Sequence, residues 1–181
     1  MKQRSGDVSL SLFVRALAFA SQKHSQQRRK DIDASPYINH PIALVSILAV
    51  EAGIEERDVL CAALLHDTLE DTQTTTEELI EVFGTTIASI VTEVSDDRGL
   101  KKNERKRLQI SHAPHLSAAA RMVKLADKIA NLRDVFESPP TDWSIERRRD
   151  YFDWGKEVID SMVDVHPALQ SLFDSAYARR P

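Results

Sequence analysis

The sequence predicts an all-α protein of one domain, and three observations carry that expectation. Apolar residues recur at helical spacing along most of the chain, beginning with Leu10, Phe13, Val14 and Leu17 at i, i+3, i+4 and i+7. Five glycines and seven prolines in 181 residues are too few for the many turns of a sandwich or barrel. Hydrophobic residues at 42% and charged residues at 29% are ordinary globular usage, which excludes a disordered or fibrous chain. The formal charge of −4 excludes a general nucleic-acid coat. The longest apolar stretch, residues 41–50, is interrupted by Ser46 and stops at Glu51, short of the roughly 18 residues that span a bilayer, so no membrane association is expected. The polar start Met1–Asp7 lacks the apolar core of a secretory signal, and Cys61, the sole cysteine, can form no internal disulfide. A reducing, cytoplasmic location is the resulting expectation.

The first helix is predicted over about Ser9 to Ser25, with the Leu10/Phe13/Val14/Leu17 stripe turned inward. Gln26 to Asn39 is polar and basic, contains Pro36, and reads as a loop carrying Arg28, Arg29 and Lys30. Pro41 suits a first helical turn, which starts the second helix at His40/Pro41 and takes it to Glu51, with Gly53 closing it. A third helix is predicted from about Glu56 to Asp71. Projected at 100° per residue it is apolar on nearly every side, yet two stripes, Leu60/Leu64/Asp67/Asp71 and Val59/Ala63/His66/Glu70, turn ionisable at the same end. Thr74 to Glu78 holds two overlapping capping boxes, which start a short helix that Gly84 closes; Thr85 to Val94 forms the next. After a polar connection come Glu104 to His112 and, beyond Pro114, a long helix from about Ser117 to Phe136 with Leu125, Ile129, Leu132 and Phe136 as its core stripe. Pro139-Pro140 breaks the chain before a helix over about Ile145 to Val165, burying Trp154, Val158, Met162 and Val165. A last helix after Pro167 uses Leu169, Leu172, Phe173 and Ala176.

Packing alone does not ask for His66, Asp67, Glu70 and Asp71 at the end of a buried helix. Either that end faces water, or the acids compensate one another's desolvation and repulsion through a bound divalent cation. Asp127 shares a face with Val123 and Ala130, opposite the Leu125/Ile129 stripe, and so needs a strong partner, a neighbouring basic residue or a metal. His40 can present an imidazole inward from a fixed helix start, as a ligand, a cap or a hydrogen-bonded core residue. His24, His112, His115 and His166 receive no role.

His40, then His66-Asp67, then Asp127 stand in the order of the HD-domain metal phosphohydrolases. Longer strings sharpen the likeness: Tyr37-Ile38-Asn39-His40-Pro41, Ala62 through Thr72, Glu104 through Gln109, and Val123 through Lys128 continuing to Asn131-Leu132-Arg133-Asp134. Over about residues 19–158 the chain resembles the hydrolase domain of RelA/SpoT-type proteins, in particular the stand-alone small alarmone hydrolases of the metazoan SpoT-homologue type. The resemblance implies a single-domain HD helical bundle over residues 1–181, with its core at about 9–165 and a C-terminal helix at about 167–180. It also implies a Mn²⁺ cofactor and hydrolysis of the 3′-diphosphate of ppGpp or pppGpp to GDP or GTP plus pyrophosphate.

By motif, the resemblance makes His40, His66, Asp67 and Asp127 the metal ligands, a donor set without thiolate that suits Mn²⁺. Glu70 and Asp71 match the family's Glu-Asp pair, which would hold and deprotonate the attacking water, with Glu70 the general base. Arg29, Lys30, Lys102, Asn131, Arg147 and Tyr151 match substrate-contact positions. Such a site takes a small nucleotide and neither nucleic acid nor membrane; the oligomeric state is left open. Ala130 stands where relatives carry an aromatic residue or His, which would loosen the pocket wall, and Arg98 to Lys101 also differs. Two other readings stand beside the first. One is action on another nucleotide, such as the 2′-phosphate of NADPH. The other is a nucleotide-sensing module whose metal site has decayed, against which the intact His40, His66, Asp67, Glu70, Asp71 and Asp127 speak.

Overall fold

In the computed structural model, which describes residues 5–181, the helix-forming patterns fold into ten α-helices, with no strand among the described residues. Residues 1–4, part of the polar start, lie outside the described residues. Helix α1 is Ser5–Lys23. A loop follows, closed by an isolated antiparallel bridge between Arg28 and Pro36. Helix α2, Asn39–Val45, runs into a π-helical stretch, Ser46–Glu51, which Gly53 ends at φ +69°. Then come α3 (Arg57–Leu65), α4 (Thr68–Asp71), α5 (Thr76–Phe83), α6 (Thr85–Val94) and α7 (Lys102–His112). A 3₁₀ turn, Ala113–His115, leads to α8 (Ala118–Glu137), followed by α9 (Ile145–Asp160) and α10 (Pro167–Tyr177). Thr75, Ser117 and Ser144 cap α5, α8 and α9 with side-chain oxygens that accept backbone N–H groups three residues on.

Helix α3 is the centre of the molecule. Val59 and Cys61 through Leu65 are all buried, and α1, α2, α6 and α8 pack around it. Helix α8 in turn contacts α9 and α10, while α7 lies against α9. Phe152 and Phe173 are the largest fully buried side chains. Truncating Phe152 to alanine removes a ring that the close-packed surroundings cannot replace, and is expected to cost about 3–5 kcal/mol of unfolding free energy. Urea denaturation checks this; a loss under about 1 kcal/mol would show that the ring is not in the core.

Four predicted details differ. The inward face of α1 is Ala16 and Ala20, fully buried, whereas Leu10 and Val14 are 65% and 53% exposed. Small residues let α1 approach α3 closely, and Phe13 and Leu17 pack at the sides of that contact. On α8, Val135 is buried and Phe136 is turned out under the Arg179 guanidinium, 4.0 Å from its ring centroid. Helix α9 stops at Asp160, which leaves Val165 in the connection to α10.

The fourth difference positions the site. The helix predicted through Asp71 breaks at His66-Asp67, where Asp67 takes φ −94°, ψ −1°. The Thr68 hydroxyl donates to the Leu65 carbonyl at 2.6 Å, an alternative to the helical ladder, and the Ser95 hydroxyl reaches the His66 carbonyl at 3.4 Å. A straight helix would set consecutive side chains about 100° apart; the break lets His66 and Asp67 converge.

Candidate active site

His40 is held by the first turn of α2 and is buried beside Pro41. His66 and Asp67 stand at the break between α3 and α4, and Asp127 sits on α8 between the buried Val123 and Ala130. Ligand atoms of His40, His66 and Asp67 all lie within 4.8 Å of one another. Asp127 Oδ1 is 3.3 Å from His40 Nε2 and 3.9 Å from His66 Nε2, and Asp67 Oδ2 is 2.9 Å from His66 Nε2. Four residues from three separated segments therefore meet at one point.

The donor chemistry of that point suits a cation. His66 Nδ1 lies 2.9 Å from the Ala63 carbonyl, which can only accept, so Nδ1 carries a proton and Nε2 is the ring nitrogen left to face a cation. His66 Nε2 is buried with no hydrogen-bond partner among the described residues. Burial opposes charge on the ring, yet Asp67 and Asp127 push His66 up to about 9, so the pocket favours positive charge here. Burial likewise works against the Asp67 carboxylate, but the facing His66 and His40 rings hold it well below the usual range. Lys128 and His40 do the same for Asp127. Outer partners orient these groups: the Tyr37 hydroxyl donates to Asp67 Oδ2, and Asn131 Nδ2 donates to Asp127 Oδ1 at 2.5 Å.

Glu70, at the end of the one-turn helix α4, accepts the Asp96 backbone N–H at 2.8 Å. Burial, and then the Asp67 charge, raise its carboxyl to about 7 against the Asp96 N–H and Lys124. Asp71 is exposed and accepts Gln27 Nε2 at 2.8 Å. A cavity of about 270 Å³ opens on the four convergent residues and on Glu70, Asp71, Lys102, Asn131 and Tyr151. It shares Tyr37, His40, Asp71, Asn131 and Tyr151 with a neighbouring cavity of about 660 Å³, whose far side carries Arg29, Lys30, Asp134 and Trp143. Arg29 is paired with Asp134. Arg147 lines neither cavity; it pairs with Asp142 at 3.3 Å and lies over the Trp143 ring at 4.5 Å. Ala130 is buried and absent from both walls.

Several residues of this site carry no separate signal in the sequence reading. Lys124 and Lys128 are buried on the cavity wall, where Lys124 Nζ donates to the Val94 carbonyl at 2.7 Å and Lys128 Nζ stands 3.3 Å from Asp127 and 4.3 Å from the Trp154 ring. The ion pair open to Asp127 from sequence is therefore present alongside its approach to the histidines. The i, i+4 spacing of the two lysines, flanking an Asp on a helix buried on two faces, was the available sign. Tyr37 was visible only within the Tyr37–Pro41 string, and nothing local marked Asp96 or Gln27.

The HD-domain profile matches residues 16–150. The chain belongs to the HD-domain family. This HD protein is 49% identical over 167 residues to guanosine-3′,5′-bis(diphosphate) 3′-pyrophosphohydrolase MESH1 of Xenopus tropicalis, a match spanning 92% of this chain and 93% of that one. To the protein of the same name from Homo sapiens it is 47% identical with the same coverage. The solved structure of a metazoan SpoT ortholog, a protein that hydrolyses ppGpp and plays a role in starvation responses, superposes with a TM-score of 0.90 at 43% identity. That match covers 99% of this chain and 98% of the other. The likeness to the metazoan SpoT-homologue type thus extends over nearly the whole HD protein. An HD domain implies a divalent metal, and His40, His66 and Asp67 form the group of described residues able to hold one. No helix among the described residues is long and apolar enough to cross a membrane.

Proposed function

We propose that this HD protein is a Mn²⁺-dependent (p)ppGpp hydrolase, which removes the 3′-diphosphate of guanosine 3′,5′-bis(diphosphate) to give GDP or GTP and pyrophosphate. One observation carries the reading beyond family membership. Glu70, a carboxyl raised to about 7, faces the same cavity as His40, His66, Asp67 and Asp127, the placement that a general base beside a metal centre requires. The near-full-length likeness to proteins named as 3′-pyrophosphohydrolases supports the substrate.

His40, His66, Asp67 and Asp127 would hold the ion. Bound there, Mn²⁺ supplies Lewis-acid polarisation of a phosphoryl oxygen and acidifies water. The chain does the rest. Glu70 takes the proton of the attacking water, with the Asp96 N–H fixing the direction of its carboxylate. The new O–P bond forms at the first phosphorus of the 3′-diphosphate as the ribose 3′-oxygen leaves with the nucleotide and regains a proton. Asp71 orients the same water. Lys102, beside the cavity's inner lysines Lys124 and Lys128, faces the anionic phosphates. Asn131 and Tyr151 stand where the two cavities join and would take the ribose, while Arg29, Lys30 and, from the rim, Arg147 contact the rest of the nucleotide. On this reading residues 1–181 act as one HD-domain unit in the cytoplasm, on a small-molecule nucleotide and not on nucleic acid or at a membrane.

A product assay tests the proposal: purified protein with Mn²⁺, given ppGpp and NADPH in parallel. Pyrophosphate and GDP from ppGpp at the higher kcat/KM are expected. Orthophosphate as the only product, or faster release of the NADPH 2′-phosphate, would overturn the substrate assignment. The Glu70 base works only when deprotonated, so kcat/KM is expected to rise with pH through an acid limb centred at about 7 or below, the bound cation acting to lower it. A pH–rate series checks this; activity that rises as pH falls through that range would contradict it.

A further inference from the structure

Asp71 is exposed at the last position of a one-turn helix, where its carboxylate swings freely unless something holds it. Gln27 does so: its Nε2 donates to Asp71 Oδ2 at 2.8 Å. A carboxylate only accepts, which settles the orientation of the amide and turns Gln27 Oε1 toward His24 Nδ1, 2.7 Å away. An amide oxygen also only accepts, so His24 Nδ1 carries the proton, and its Nε2 is buried without a partner among the described residues. His24 is itself only 2% exposed at the end of α1. Its ring lies 4.8 Å from that of Tyr37, whose hydroxyl donates to Asp67. The backbone ties the same residues together: Gln27 N–H donates to the His24 carbonyl at 2.9 Å and Tyr37 N–H to the Gln27 carbonyl at 3.2 Å.

We infer that His24 and Gln27 form a positioning relay, His24 Nδ1–H to Gln27 amide to Asp71, that fixes the direction of the Asp71 carboxylate for the hydrolytic step. The same His24 ring braces Tyr37, and through it Asp67, so one buried histidine outside the cavity orients two acids of the site. The loop between Gln27 and Tyr37 also carries Arg29 and Lys30, which places the relay at the base of the segment that faces the nucleotide. This inference rests on the assignment of Asp71 to the hydrolytic machinery. His24 lines neither cavity, and Gln27 stands on the wall of the larger one; in the relay both act through Asp71.

Two readouts on the full chain test the relay. ¹⁵N NMR of the His24 ring at pH 8 is expected to show Nδ1 protonated and Nε2 bare, with that preference lost in Gln27→Leu; an Nε2–H ring in the wild-type protein would overturn the relay. In kinetics with Mn²⁺, Gln27→Leu and His24→Phe are expected to lower kcat by about 10- to 100-fold, the range typical of lost outer-shell partners, with KM within about twofold and bound manganese unchanged. His24→Asn, whose Nδ2–H can stand where the ring Nδ1–H does, is expected to recover most of the rate. In an Asp71→Ala background, which removes the acceptor of the Gln27 amide, the Gln27→Leu loss should shrink to under about twofold, because the two residues act as one unit. Wild-type kcat in Gln27→Leu, or an undiminished loss in the Asp71→Ala background, would refute the relay. Gln27 is only half-buried, so its variant remains informative should His24→Phe fail to fold. A wild-type protein that cleaves a different phosphoester would defeat the alarmone assignment alone, and the tautomer and the double-variant comparison on that ester would still decide the relay.

Discussion

Asp67→Ala is expected to abolish hydrolysis of ppGpp, lowering kcat/KM by about three orders of magnitude or more with Mn²⁺ present. The carboxylate faces both histidines, with Oδ2 at 2.9 Å from His66 Nε2 and 3.8 Å from His40 Nε2. Removing it takes one of two anionic donors from the proposed cation and leaves the Tyr37 hydroxyl without its acceptor. Loss of a metal's electrostatic contribution is worth several kcal/mol at the transition state, and each 1.4 kcal/mol is about a factor of ten. The variant should remain folded, because the site lies beside the α3/α8 core and not within it. Its melting temperature and bound manganese, measured together, separate the outcomes: a folded, metal-poor, inactive protein is expected, and activity within about tenfold of wild type would remove Asp67 from the site.

Glu70→Gln should be nearly as severe in rate but different in kind. Glutamine keeps an oxygen to accept the Asp96 N–H, so the loop at Asp96 and the cavity shape are retained, while the group can no longer take a proton. Turnover is expected to fall by about two to four orders of magnitude, with nucleotide affinity and bound manganese close to wild type. The acid limb of the pH profile should disappear with it. Wild-type turnover in this variant would pass the base role to Asp71 or to solvent water.

What the sequence made legible follows from which signals are local. The helices were readable because apolar spacing, the capping boxes at Thr74 to Glu78, and closures at Gly53 and Gly84 are all set within a few residues. The rotation of α1 was not. Its inward face is chosen by how closely Ala16 and Ala20 let it approach α3, a property of the partner helix that no stripe on α1 encodes. The break at His66-Asp67 was hidden for a related reason: Thr68 and Ser95 supply the bonds that replace the ladder, and Ser95 comes from the end of α6. At the site, the change from aliphatic to ionisable residues along the third helix flagged His66, Asp67, Glu70 and Asp71 without any structure. The motif order then placed His40 and Asp127 beside them, and their side chains do converge. The roles of Lys124, Tyr37 and Gln27 stayed unread because each acts through a partner distant in sequence, the Val94 carbonyl, Asp67 and Asp71 respectively.

The convergence of two imidazoles and two carboxylates on one cation is the claim on which the enzymology depends, and bound metal measures it without reference to turnover. Wild-type protein equilibrated with Mn²⁺ and passed through a desalting column should retain about one ion per chain by elemental mass spectrometry. His40→Ala, His66→Ala, Asp67→Ala and Asp127→Ala should each retain far less, and Glu70→Gln should match wild type. Manganese retained at full stoichiometry by all four alanine variants, or by none of the proteins including wild type, would contradict the account.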